Sequence, residues 1–144
     1  MKVVCVTGSR SWAAVEYIHE VLRGADVLLV GDCPTGADAI ALEYALANDV
    51  MAVVFAASKD RAAQIAREHP SVVVHLAADW KAQGKRAGPM RNQALADRAA
   101  LERDAGMPIA VHAFPLPSSV GTLDAIKRFE AHGMFVSVHR LPAL

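Results

Sequence analysis

The residues best equipped for chemistry in this chain of 144 amino acids lie in four polar segments, each rich in groups that bind anions. The first, Thr7-Gly8-Ser9-Arg10-Ser11-Trp12, combines a glycine that admits close backbone approach with two hydroxyls and a guanidinium fork. The second, Gly31-Asp32-Cys33-Pro34-Thr35-Gly36-Ala37-Asp38, closes an apolar run and opens a helical one, and helix-start amides concentrate positive partial charge. Asp38 falls in that first turn, where a carboxylate stabilises the helix, hydrogen-bonds ribose hydroxyls or acts as a general base. Cys33 stands near the same helix start, a setting that lowers a thiol pKa, yet no histidine lies nearby in sequence to complete a nucleophile pair.

The third segment, from Phe114 to Thr122, brackets Ser118, Ser119, Gly121 and Thr122 with prolines at 115 and 117, and a nest of this kind wraps phosphate with backbone N–H groups. Its bland alternative is a Ser-capped helix start. The fourth places Ala78-Asp79-Trp80 before Gly84-Lys85-Arg86-Ala87-Gly88-Pro89-Met90-Arg91-Asn92-Gln93. Cations at a helix N-terminus oppose its dipole, so Lys85, Arg86 and Arg91 are unfavourable there unless an anion or an acidic partner offsets them. Arg91 offers bidentate phosphate recognition and Asn92 a directional amide. If Arg91 sits exposed as a phosphate clamp, its replacement by alanine weakens anion binding tenfold to a hundredfold and barely alters folding. Trp12 and Trp80 have the faces to stack on a base, although packing is the commoner fate of a loop tryptophan beside a strand.

Other chemistries find less support. The six histidines show no compact ligand spacing, so no metal site is expected. Neither a Walker-type nor a Gly-x-Gly-x-x-Gly loop occurs, and no cofactor is expected. Fifteen basic and fifteen acidic residues leave no net charge, which argues against nucleic acid as the main partner. Apolar runs such as Met51 to Ala57 are too short to span a bilayer, and two cysteines do not make a disulfide scaffold. These features point to a soluble protein of a reducing, cytoplasmic compartment with no membrane partner.

The elements that must position the four segments are legible from hydrophobic pattern. Strands are expected at Lys2 to Thr7, Asp26 to Gly31, Val50 to Ala56, Ser71 to Leu76, Met107 to Phe114 and Met134 to His139. Consecutive apolar residues such as Val27-Leu28-Leu29-Val30 belong to strands covered on both faces, hence to a mainly parallel sheet. Stripes at Val15, Ile18 and Leu22 and at Leu123, Ile126 and Phe129 predict helices packed on it. Further helices are expected at about Ala37 to Ala47, Lys59 to Glu68 and Pro89 to Asp104. The chain thus reads as one α/β domain over residues 1–144, a Rossmann-like three-layer sandwich whose strand-to-helix turns share one edge.

Taken in order, Val6-Thr7-Gly8-Ser9-Arg10, Gly31-Asp32 with Thr35-Gly36-Ala37-Asp38, Ala78-Asp79-Trp80, Gly84-Lys85 with Ala87-Gly88-Pro89-Met90-Arg91-Asn92, and Ser119-Val120-Gly121-Thr122 resemble the YspA-type, YpsA-related family of the SLOG superfamily. The resemblance spans most of the chain, with residues from about 57 to 76 as an atypical insertion. It implies a Rossmann-like fold and a nucleotide or nucleotide-derived ligand, and the four polar segments offer Gly8, Ser9, Arg10, Gly31, Thr35, Gly36, Asp38, Arg91, Asn92, Ser118, Ser119, Gly121 and Thr122 to bind it. The superfamily also includes phosphoribohydrolases with a late Pro-Gly-Gly-x-Gly-Thr-x-x-Glu loop and DNA-processing relatives of the DprA type. Here that loop lacks the glycine pair, and Ala125 stands at the glutamate position. Asp124 is adjacent but about 100° away around a helix. A binding role as sensor, carrier or sequestering protein is therefore expected ahead of N-glycosidic hydrolysis, for which Asp38 and Asp124 are the candidate catalytic groups. The resemblance and the alanine-rich stretch from Asp97 to Ala105 also suggest a homodimer packed through a helical face.

Overall fold

A computed structural model describes residues 1–142. Six strands form one sheet: β1 (Val3–Gly8), β2 (Val27–Gly31), β3 (Met51–Ala56), β4 (Val73–Leu76), β5 (Ile109–Phe114) and β6 (Val136–Val138). Six helices follow or precede them: α1 (Val15–Leu22), α2 (Ala37–Ala47), α3 (Lys59–Glu68), α4 (Trp80–Gln83), α5 (Ala87–Asp104) and α6 (Val120–Ala131). Every strand pairing is parallel, in the order β4-β3-β2-β1-β5-β6. The fold is the Rossmann-like α/β class that the consecutive apolar runs predict. Residues 57–76 supply α3 and the edge strand β4.

Alternate residues of each strand feed two cores. Val4, Val6, Leu28, Val30 and Val54 meet Ile18, Leu22, Ala41, Leu42 and Ile65 on one face. Cys5, Leu29 and Val111 meet Leu95, Ala96, Ala99, Ala125 and Phe129 on the other. Helices α1, α2 and α3 therefore cover one side, and α5 and α6 the other. Burial of two apolar faces explains why these strands carry no polar alternation. The alanines of α5 are spent here: Ala96, Ala99 and Ala100 pack inside the chain's own core.

Two expected strands are shorter than their apolar runs, for one reason. Gly106 and Gly133 end α5 and α6 with φ of 85° and 74°. Met107 N–H donates to the Glu102 carbonyl and Met134 N–H to the Phe129 carbonyl, closing Schellman-type caps. Both methionines thus belong to helix ends, and β5 and β6 start two residues later. The helix stripes also need correction at their first members, since Val15 and Leu123 lie in opening turns and are exposed while Ile18, Leu22, Ile126 and Phe129 are buried.

Candidate functional site

Strand order runs outward from β1 in both directions, β2 to β4 on one side and β5 to β6 on the other. At such a switch point the turns leaving adjacent strands diverge and open a crevice. A cleft of about 380 Å³ lies there, at the C-terminal ends of β1, β2 and β5. It brings together residues from all four polar segments: Gly8, Ser9 and Arg10; Gly31 and Asp38; Arg91 and Asn92; Ser118, Ser119, Gly121 and Thr122. Thr35 and Gly36 are not among the lining residues.

The turn after β1 is held rigidly. The Ser9 carbonyl accepts from Ala37 N–H at 3.1 Å and from Trp12 N–H at 3.2 Å, while Thr35 Oγ1 donates to the Arg10 carbonyl at 2.9 Å. Thr35 and Gly36 therefore position the Ser9-Arg10 turn from behind. Gly36 has φ 76° and ψ −147°, a region reserved for glycine, and a Cβ there would collide with the backbone of Ser9 and Arg10. Gly36→Ala is expected to lower stability by roughly 2 kcal/mol, read as a fall in the urea midpoint at unchanged m-value. A variant as stable as wild type would show that this turn relaxes freely. Trp12 is buried edge-on against Tyr17 and Phe114 with its indole N–H on the Ala14 carbonyl, so it packs in the core and cannot stack on a ligand. Trp80 is half-exposed, outside the cleft lining.

On the far wall, α6 starts without a side-chain cap. Ser119 Oγ is drawn backward to accept from Leu116 N–H at 2.8 Å, so the Ser-capped alternative does not hold. Among the described residues, the Gly121 and Thr122 N–H groups have no acceptor, and both residues line the cleft. A Cβ added at Gly121 meets open space. Orphan amides at a helix start carry the positive end of the macrodipole, so this wall attracts an anion.

Between these walls lies Arg91, held from beneath by a carboxylate that sequence reasoning left out of the site and that lies outside the cleft lining. Arg91 is not an exposed cation at a helix start: its Nη1 donates to Asp32 Oδ1 at 2.8 Å and its Nε to Asn92 Oδ1 at 2.9 Å. Its side chain is 19% exposed, and that of Asp32 only 6%. Asp32 Oδ2 also accepts from Ala57 N–H at 3.0 Å. The acidic partner needed to offset Arg91 is thus Asp32, at the end of β2. The signal lay in the Gly31-Asp32 pair at a strand end, but nothing in sequence joins positions 59 residues apart. Lys85 and Arg86 remain exposed in a 3₁₀ turn before α5.

Asn92 is likewise committed. Its Nδ2 donates to the Gly121 carbonyl at 3.2 Å and to Asp124 Oδ2 at 3.0 Å, tying α5 to the first turn of α6. Its amide holds the anion-binding wall in place. Asp124 accepts twice from Arg128, at 2.9 and 3.1 Å, and lies outside the cleft lining. Burial acts to raise its pKa, but hydrogen bonds from Arg128 and Asn92 outweigh that and leave it below the ordinary carboxylate value. Ala125 is buried in the core under α6.

Asp38 is the buried acid of the cleft. Its Oδ2 accepts from Cys33 N–H at 3.2 Å, and Oδ1 has no partner among the described residues. Burial raises its pKa to about 6, against the lowering influence of the Arg91 charge and the Cys33 N–H, with the Asp32 charge adding to the rise. A carboxyl that titrates near neutrality in a cleft can hold or release a proton during binding. Among the described residues no group of three or more His, Cys, Asp or Glu side chains could hold a metal ion, and no helix is long and apolar enough to cross a membrane.

An open, wholly parallel sheet with a polar cleft at its switch point makes this a Rossmann-like α/β protein. Its fold is similar to that of DNA processing protein A (DprA) from Streptococcus pneumoniae, with a TM-score of 0.57 and 18% identity over 96% of this chain. The chain spans 58% of that protein's length, and the likeness is one of fold. No protein-family description and no curated protein matches the sequence.

Proposed function

We propose that this protein binds a nucleotide or nucleotide-derived molecule, seating a phosphate between the start of α6 and the Ser9-Arg10 turn. The observation that carries the reading is the uncapped start of α6, where the hydroxyl placed to cap it is turned away and the amides of two cleft-lining residues are left without an acceptor. Arg10, exposed on the opposite wall without an acidic partner among the described residues, adds charge that a phosphate would neutralise. The SLOG-like motifs support this reading. Such a protein would sense, carry or sequester its ligand.

The test is a carboxylate placed in the phosphate position. Gly121→Asp puts its side chain into open space at the second residue of α6, where a negative charge favours the helix by about 0.3–1 kcal/mol. The same charge occupies the amides and repels phosphate. Titration calorimetry with AMP, ADP-ribose and cyclic AMP is expected to show wild-type binding of at least one, weakened tenfold or more in Gly121→Asp, with an unchanged or higher Tm. Equal affinity in the two proteins would remove the phosphate from α6.

A second reading, N-glycosidic hydrolysis, is favoured by one feature, the near-neutral titration of Asp38 in the cleft. Asp124 is bound to Arg128 and Asn92, alanine fills position 125, and Asp32 is paired with Arg91, so no acid is left over to assist Asp38. Release of free base from AMP by wild type, lost in Asp38→Asn, would establish that reading over simple binding. Nucleic acid is disfavoured as a partner by the zero net charge.

A further inference from the structure

The floor of the cleft is built on two carboxylates and one guanidinium: Asp38 and Arg91 line the cavity, and Asp32 is buried beneath them, outside the lining. Asp32 and Arg91 form a pair of net charge zero, both largely buried. Asp38 approaches the same pair from α2: a Cβ at Gly31 would lie 2.6 Å from Asp38 Oδ2 and 2.9 Å from Arg91 Nη1, so the two side chains meet over that glycine. Around Asp38 stand Arg91 from α5, Asp32 and the Cys33 N–H from the turn after β2, the buried Cys5 thiol from β1, and Arg10 across the cleft. The groups presented at and just before the start of α6, Ser118 to Thr122, carry no charge. With Asp38 neutral the floor is neutral; with Asp38 ionised it carries one uncompensated negative charge in the space an anion would enter.

We propose, resting on the phosphate-binding reading, that the cleft takes up an anion and a proton together, the proton residing on Asp38. An anion anywhere in a 380 Å³ cleft lies within about a Debye length of Asp38, so the two negative charges disfavour each other. By linkage, binding the anion raises the proton affinity of Asp38, and losing the proton lowers the affinity for the anion. The proton comes from solvent and returns to it when the ligand leaves. The burial that already holds Asp38 near half-protonation at mildly acidic pH places this coupling in the physiological range. A phosphodiester, or a pyrophosphate esterified at both ends, keeps a constant charge in this range and reports the coupling alone, whereas a terminal phosphate would add its own titration.

The experiment is calorimetric titration of the full chain with ADP-ribose and with cyclic AMP between pH 5.5 and 8, in buffers of different ionisation enthalpy. Wild type is expected to bind about tenfold more weakly at pH 8 than at pH 5.5 and to take up a substantial fraction of one proton per ligand near pH 7. Asp38→Asn is expected to bind equally at all pH values, at the affinity wild type reaches in acid, with no proton uptake. Binding that Gly121→Asp abolishes but that is independent of pH in wild type would leave the phosphate site standing and overturn the coupling. A slope retained in Asp38→Asn would also overturn it. Absence of binding by wild type and Asp38→Asn throughout would overturn the phosphate-binding reading and this inference with it.

Discussion

Arg91→Ala is expected to unfold at a Tm roughly 10 °C below wild type, a loss of about 3 kcal/mol. An arginine exposed at a helix start would lose almost nothing on the same replacement. The difference comes from Asp32, whose side chain is 6% exposed and which keeps only the Ala57 N–H once the guanidinium is gone. Removing one partner of a buried pair strands the other charge, which costs more than the pair itself contributes. Truncation also deprives Asn92 Oδ1 of its donor. Adding Asp32→Asn to Arg91→Ala is expected to recover much of the loss, because a neutral amide needs no counter-charge. Thermal melts of the two single variants and the double variant measure this as a coupling energy. If the double variant is as unstable as the sum of the singles, the pair does not govern stability here. The comparison also affects binding experiments: weaker anion binding by Arg91→Ala reports both a lost donor and a disturbed floor, so Gly121→Asp is the cleaner probe.

Asp38→Asn is expected to be more stable than wild type at pH 8, by about 3 kcal/mol, and equal to it near pH 4. Burial first, with Asp32 adding, sets the folded pKa at about 6, above the unfolded value of 3.8, while Arg91 and the Cys33 N–H oppose the rise. Below about pH 3.8 both states hold the proton and the group costs nothing. Between there and pH 6 the unfolded chain releases it first, so stability falls as pH rises, and above pH 6 the full cost remains. Asparagine keeps an acceptor for the Cys33 N–H and carries no charge at any pH. The half-buried His112, which accepts or donates across 2.9 Å to His139, works in the opposite direction: burial, then the His139 and Lys2 charges, lower its pKa to about 4, so stability is lost as pH falls from 6.5 toward that value. This contribution is common to both proteins and cancels in the difference. Urea titrations of the two proteins from pH 4 to 8 check the prediction, and an asparagine variant less stable at pH 8 would refute it. Retention of an acid that costs stability at neutral pH is what a binding or catalytic group looks like energetically.

Sequence by itself determined the layers, the six strands, most helix bounds and the four polar turns, because these rest on local periodicity and on the shared edge that parallel strands impose. It also carried the sign of the site, since helix starts with glycines and hydroxyls favour anions whatever their neighbours. Tertiary structure alone decided which polar side chains have groups left over. Ser119 spends its hydroxyl on Leu116, Asn92 its amide on Gly121 and Asp124, and Arg91 its inner face on Asp32. Thr35 and Gly36 became supports for the Ser9-Arg10 turn rather than part of the cleft wall. Hydrogen bonds and ion pairs act over about 3 Å and between segments far apart in the chain, so only the packed sheet and helices could assign them.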